Sequence, residues 1–129
     1  MHYLLNLSTD GQYVVFNKIY FKMCNEDLEA AIILSQIMRW YKDPEQFIIL
    51  DGRNAIVKQR DEWIKECCIT PKKYDRAIGV LKNIGFIYTE LHRSELHDHN
   101  LAVFIFVNEY IFGKIWKEKF HSSLGDDHG

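Results

Sequence analysis

The residues best suited to chemistry in this chain fall in two groups. His92, His97 and His99 lie close together around Asp98, and Lys72, Lys73 and Arg76, followed by Asn83, crowd one short segment. Neutral imidazoles are zinc ligands, and the His97-Asp98-His99 spacing puts two of them on one side of a strand. A zinc site needs a set of three or four ligands, and the spacing fixes no fourth. Cys67 and Cys68 would have to reach the histidines through the core, so no metal is expected. The same imidazoles at a loop can contact phosphate or the minor groove of DNA, or be solvated. Asp51 and Asp61 do not form a recognisable carboxylate pair. There is no Gly-rich phosphate loop, Walker sequence or nucleophile elbow, so neither an enzyme nor a cofactor is expected. Cys24, Cys67 and Cys68 are odd in number and two are adjacent. That pattern speaks against a disulfide framework and for free thiols in a reducing cytoplasm.

The cationic group is positioned by Thr70–Ile87, Thr-Pro-Lys-Lys-Tyr-Asp-Arg-Ala-Ile-Gly-Val-Leu-Lys-Asn-Ile-Gly-Phe-Ile. Thr70 is an N-cap residue, and Pro71 suits the first helical position, where its missing N–H would be unpaired anyway. Tyr74, Ala77, Ile78 and Leu81 make one apolar stripe, and Lys72, Lys73, Arg76 and Asn83 project elsewhere. Gly85 is a C-cap glycine, after which Phe86-Ile87-Tyr88 begins a strand. A basic outer face on a helix that runs into a strand is the pattern of a recognition helix and its wing. An ordinary solvated basic face gives the same charges. Net charge is −2, which argues mildly against a nucleic-acid partner. Charge is uneven, however. Residues 70–93 hold five basic side chains (Lys72, Lys73, Arg76, Lys82, Arg93) against Asp75 and Glu90, a local +3. Local field, not net charge, steers a polyanion.

The other elements follow from periodicity and punctuation. Gln12–Met23 is rich in β-branched and aromatic residues and reads as an N-terminal strand or extended arm. Asn25 offers an N-cap to a helix that runs to about Tyr41. Leu28, Ala31, Ile32, Ser35, Ile37, Met38 and Tyr41 are spaced for burial, and Asp43-Pro44 ends the helix. Phe47–Leu50, Asp51-Gly52 and Ala55–Val57 read as a hairpin or a strand with a return. Gln59–Cys68 is a second helix that buries Trp63, Ile64 and Cys67, and Cys68-Ile69-Thr70 turns tightly into the basic helix, giving a helix-turn-helix. Phe86–Arg93 and Leu101–Val107 are two strands joined by a polar loop. Asn108 caps a last helix, Glu109–Phe120, with Tyr110, Ile111, Ile115, Trp116 and Phe120 for packing. Trp40 and Tyr41 suit either core or a dimer surface. The expected class is α+β: a helical core, a C-terminal β-hairpin wing and an added terminal helix. Residues 1–120 form one domain, and 121–129 a disordered tail or a linker to a further domain. No apolar run approaches the ~20 residues of a membrane span, and the first residues carry no signal-peptide pattern.

This order resembles winged helix-turn-helix domains, and more narrowly the N-terminal domains of plasmid and phage replication initiators of the RepA-like and replisome-organiser type. Glu29–Trp40 is similar to their first helix, Gln59–Ile64 to the helix before the turn, and Leu81-Lys82-Asn83-Ile84-Gly85-Phe86-Ile87 to their Leu-x-x-x-Gly-Leu-Ile recognition-helix exit. The turn departs from the family, which often has Gly or Leu followed by Ser, and the long basic wing of many relatives is missing. The resemblance implies sequence-specific binding of double-stranded DNA at an origin or iteron, by a homodimer, with host replication proteins engaged through a C-terminal region outside this chain. Lys72, Lys73, Tyr74, Arg76 and Asn83, behind Thr70, would lie at the major groove. Arg93, His97 and His99 would lie at the wing, and Lys58 and Arg60 would hold phosphates. A winged-helix transcription regulator, or a protein-interaction module using the same helix, fits the same residues.

Overall fold

The computed structural model describes residues 2–6 and 13–126. Two antiparallel strands, β1 (His2–Asn6) and β2 (Tyr13–Asn17), lead into α1 (Lys18–Met23) and α2 (Leu28–Tyr41). β3 (Ile48–Leu50) and β4 (Arg53–Val57) form a hairpin, followed by α3 (Arg60–Cys67) and α4 (Pro71–Ile84). A second hairpin, β5 (Ile87–Ser94) and β6 (Asn100–Val107), precedes α5 (Glu109–Asp126). The four later strands make one antiparallel sheet in the order β3-β4-β6-β5, so the strand before the helix-turn-helix pairs with the far strand of the hairpin after it. This is a winged-helix-like α+β arrangement.

The sheet has two unlike faces, as strand alternation requires. Ile56, Ile87, Ile105 and Val107 point into the main core with α2, Trp63, Cys67, Ala77 and Leu81. Ala55, Val57, Ala102, Phe104 and Phe106 form a smaller cluster on the other face. That face is roofed by amphipathic side chains. The Arg53 guanidinium lies 4.1 Å from the Phe106 ring centroid, Tyr88 stacks on the same ring at 5.1 Å, and His92 meets Phe104 edge-on. Asp51 and Gly52 both have positive φ (52° and 75°), which a two-residue hairpin turn demands.

Several local expectations are corrected. The segment read as one strand or arm from Gln12 divides at Lys18. Ile19 and Met23 are four apart and fully buried, so burial on one helix face overrides the β propensity of the sequence. Gln12 itself lies outside the described residues. Asn25 does not cap α2. Asn25 and Glu26 sit at positive φ and close the end of α1, and Asp27 is the cap, accepting from Ala30 N at 3.1 Å. Asn108 caps α5 as its position suggests, accepting from Ile111 N at 3.1 Å. α5 runs past Phe120 to Asp126, so residues 121–126 are helical where a disordered tail was expected, and 127–129 lie outside the described residues. Tyr110 does not pack; it is 76% exposed. Trp40 is a packing residue, 4.8 Å from Trp63, and Tyr41 donates its hydroxyl to Glu109.

Candidate nucleic-acid interface

α4 is held at both ends by its own sequence. Thr70 has extended backbone angles, and its Oγ1 accepts from Lys73 N at 3.3 Å. Gly85 takes φ 99°, and both Gly85 N and Phe86 N bond to Leu81 O at 3.1 Å, closing the last turn. Cys68 supplies the left-handed residue that ends α3 (φ 54°), so two residues, Ile69 and Thr70, separate it from α4. With Tyr74, Ala77 and Leu81 buried, the 3.6-residue period directs Lys72, Arg76, Gly79 and Asn83 along the opposite side. Lys72, Arg76 and Asn83 are exposed there.

Tyr74 does not belong on that face. It is 8% exposed, its ring packs on Trp63 at 6.4 Å, and burial raises its hydroxyl pKa. Its place on the apolar stripe and at the groove exclude one another, and the stripe wins because α4 must bury one side.

Most of the remaining cations meet carboxylates. The Arg76 fork spans the start of α2: Nη1 bonds to Asp27 Oδ2, and Nη2 reaches Asp27 Oδ1 at 3.1 Å and Glu29 Oε2 at 3.2 Å. Lys73 Nζ is 3.6 Å from Glu29 Oε1. Arg60 grips Asp75 with two bonds, 2.7 and 2.6 Å, and reaches Pro71 O, tying the start of α3 to the first turns of α4. The hydrogen bond from Arg76 holds the Asp27 carboxyl below its usual range, and Arg60 does the same for Asp75. Among the described residues, Lys72 and Lys82 on α4 form no ion pair.

Lys58 is only 14% exposed at its side chain. It bonds to Glu66 at 2.8 and 2.9 Å and stands 3.1 Å from the Trp40 ring centroid. This cation is a clamp between α3 and α2. At the second hairpin, Arg93 donates to His99 O at 3.0 Å, and His99 is exposed in the turn. His97 turns inward, 10% exposed at its side chain, with Nδ1 3.1 Å from Ser94 Oγ and Nε2 3.7 Å from Glu62. His92 lies instead beside Glu90 and Phe104, so the histidines do not converge. Burial pushes the Cys24 and Cys67 thiols up to about 12, which keeps both protonated at neutral pH.

No protein-family model matches the chain, and no curated protein matches it. Among solved structures it is similar to a "possible transcriptional regulator" from Methanosarcina mazei Go1, with a TM-score of 0.54 over 98% of this chain and 95% of that one. Identity is 8%, so what the two share is a fold. Among the described residues, no helix is long and apolar enough to cross a membrane.

Asp27 and Glu29 are not among the candidate site residues named from sequence, and nothing there pairs them with Arg76. They lie 49 and 47 positions from Arg76, and no local pattern links residues so far apart. A concavity of about 540 Å³ is lined by Tyr41, Arg53, Tyr88, Phe106, Glu109 and Tyr110. Its charged groups are already occupied, Arg53 by Glu90 and Glu109 by the Tyr41 hydroxyl.

Proposed function

We propose that this chain binds double-stranded DNA through α4 and acts as a winged-helix regulator of transcription, not as an enzyme. The carrying observation is the placement of α4. It is capped at both ends, buried along Tyr74, Ala77 and Leu81, and presents Lys72, Arg76 and Asn83 on its exposed side next to a two-stranded hairpin. A helix so mounted can enter a major groove with its polar side against base edges, while the hairpin reaches the flanking backbone with Arg93 and His99. An arginine fork suits a guanine edge, and lysines suit phosphates. One such patch is small, so a homodimer reading two half-sites is part of the proposal.

Origin recognition by a replication initiator draws its support from the three stretches of sequence resemblance. Regulation draws its support from the description of the structurally similar protein from Methanosarcina mazei Go1, and we favour it. Protein contact at the hairpin has an observation of its own. Leu91 and Val103 are directly paired across β5 and β6, Leu101 lies next to them, and all three are exposed. Apolar residues on a wing suit a protein surface better than a phosphate backbone.

The test is competition binding of duplexes from the chain's own locus against scrambled duplexes across a salt series. Specific binding that weakens steeply with salt is expected. Lys72→Ala should weaken both duplexes alike and flatten the salt slope by about one unit. No binding at low salt would end the DNA reading.

A further inference from the structure

The proposed DNA face carries its own anionic competitor. We propose that Asp27 and Glu29, at the start of α2, are specificity-determining residues that suppress binding of α4 to unselected DNA by occupying Arg76 and Lys73. This inference rests on the DNA reading and adds how that face discriminates.

The geometry is specific. Asp27 gives both carboxylate oxygens to the Arg76 fork, and Glu29 divides its own between Arg76 Nη2 at 3.2 Å and Lys73 Nζ at 3.6 Å. Both acids are largely sheltered, with side-chain exposures of 18% and 21%, whereas Arg76 and Lys73 remain 49% and 58% exposed. The carboxylates are therefore fixed by the fold, and the cations can leave them. Asp27 is fixed further by its cap bond to Ala30 N, and α2 packs against α4 along this contact.

Non-specific affinity for DNA comes from cations that displace condensed counterions from phosphates. A cation already paired with a carboxylate gains little by moving to a phosphate, because the vacated carboxylate must then recruit a salt cation. Random duplex offers Arg76 and Lys73 only that exchange. A matching site also offers a base edge, where the fork gains two directed hydrogen bonds. The acids thus subtract from binding to every sequence, while only the correct one restores the loss. Lys72 and Lys82, without ion pairs among the described residues, are left to supply the basal attraction.

The experiment compares the full chain with its Asp27→Asn/Glu29→Gln variant on a mixed-sequence 20-base-pair duplex, from low to high salt. Asparagine keeps the α2 cap, and glutamine keeps the shape of Glu29. Freeing two cations should steepen the salt slope by ~1–2 units and tighten mixed-sequence binding by about tenfold at low salt. Adding Arg76→Ala to the variant should remove most of that gain. The Glu45→Gln/Glu118→Gln variant removes the same formal charge from two exposed residues elsewhere and should give a clearly smaller gain. Thermal melts confirm that each variant is folded. Unchanged or weaker mixed-sequence binding by the folded variant, or an equal gain in the Glu45/Glu118 control, overturns the inference. If wild type selects its own locus and the variant selects it equally well, the inference fails while the DNA reading survives. If neither protein binds any duplex at low salt, the DNA reading fails and takes the inference with it.

Discussion

Gly79 and Gly85 lie in and just after the same helix, and replacing each with alanine should change stability in opposite directions. Gly79 is inside α4, and an added Cβ would meet nothing within 4 Å. Alanine there lowers the chain entropy lost on folding and should stabilise by ~0.8–1 kcal/mol. Gly85 sits at φ 99°, where an added Cβ would lie 3.6 Å from Ile111 Cγ2, an ordinary contact. Its penalty is therefore conformational. A left-handed L-residue costs ~1–2 kcal/mol, partly offset by ~0.4–1 kcal/mol from a stiffer unfolded chain. Gly85→Ala should thus destabilise by about 1 kcal/mol, and Gly85→Val by more, since branching at Cβ adds crowding. Equilibrium urea unfolding at constant m measures both, and a shift of ~1 kcal/mol corresponds to roughly 3–5 °C in Tm for a domain of this size. The sites are about 9 Å apart along the helix, so the double variant should be close to additive. A neutral or stabilising Gly85→Ala would refute the left-handed helix exit and, with it, the junction that aims the hairpin. A destabilising Gly79→Ala would mean that something approaches that face closely in the folded state.

Two further outcomes test the packing around the sheet and the clamp. Glu90 is pulled from 4.5 to about 2, first by its bonds from Arg53 and then by His92. Its contribution is fully present above pH 4.5 and is lost as pH falls towards 2, so Glu90→Gln should flatten that part of the acid-unfolding profile relative to wild type. Equal profiles would contradict the Arg53–Glu90 pairing. Lys58→Ala should lower stability by ~1–2 kcal/mol through loss of the Trp40 and Glu66 contacts, and leave the salt slope of DNA binding unchanged. A flattened slope at unchanged stability would return Lys58 to the phosphate-binding set.

The sequence by itself determined the features that depend on neighbours a few positions apart. Thr70-Pro71 starts α4 and Gly85 ends it, because capping is set within one turn of backbone. Asp51-Gly52 marks the first hairpin, Asn108 caps α5, and the polar loop between Phe86–Arg93 and Leu101–Val107 marks the second hairpin. The helix-turn-helix with its following strands was legible for that reason. The order β3-β4-β6-β5 and the helical state of Lys18–Met23 came only with tertiary structure, since distant partners bury Ile19 and Met23 against the pull of local β propensity. The same holds for the site. Sequence showed that Lys73 and Arg76 are cations on a polar helix face. It did not show that α2 packs against α4 and brings Asp27 and Glu29 to them, nor that Arg60 closes on Asp75, Lys58 turns to Trp40 and Glu66, or His97 folds in towards Ser94. Charge is written residue by residue, but its neutralisation depends on which helix ends meet, and that is decided by how the apolar stripes of α2, α3 and α4 pack together.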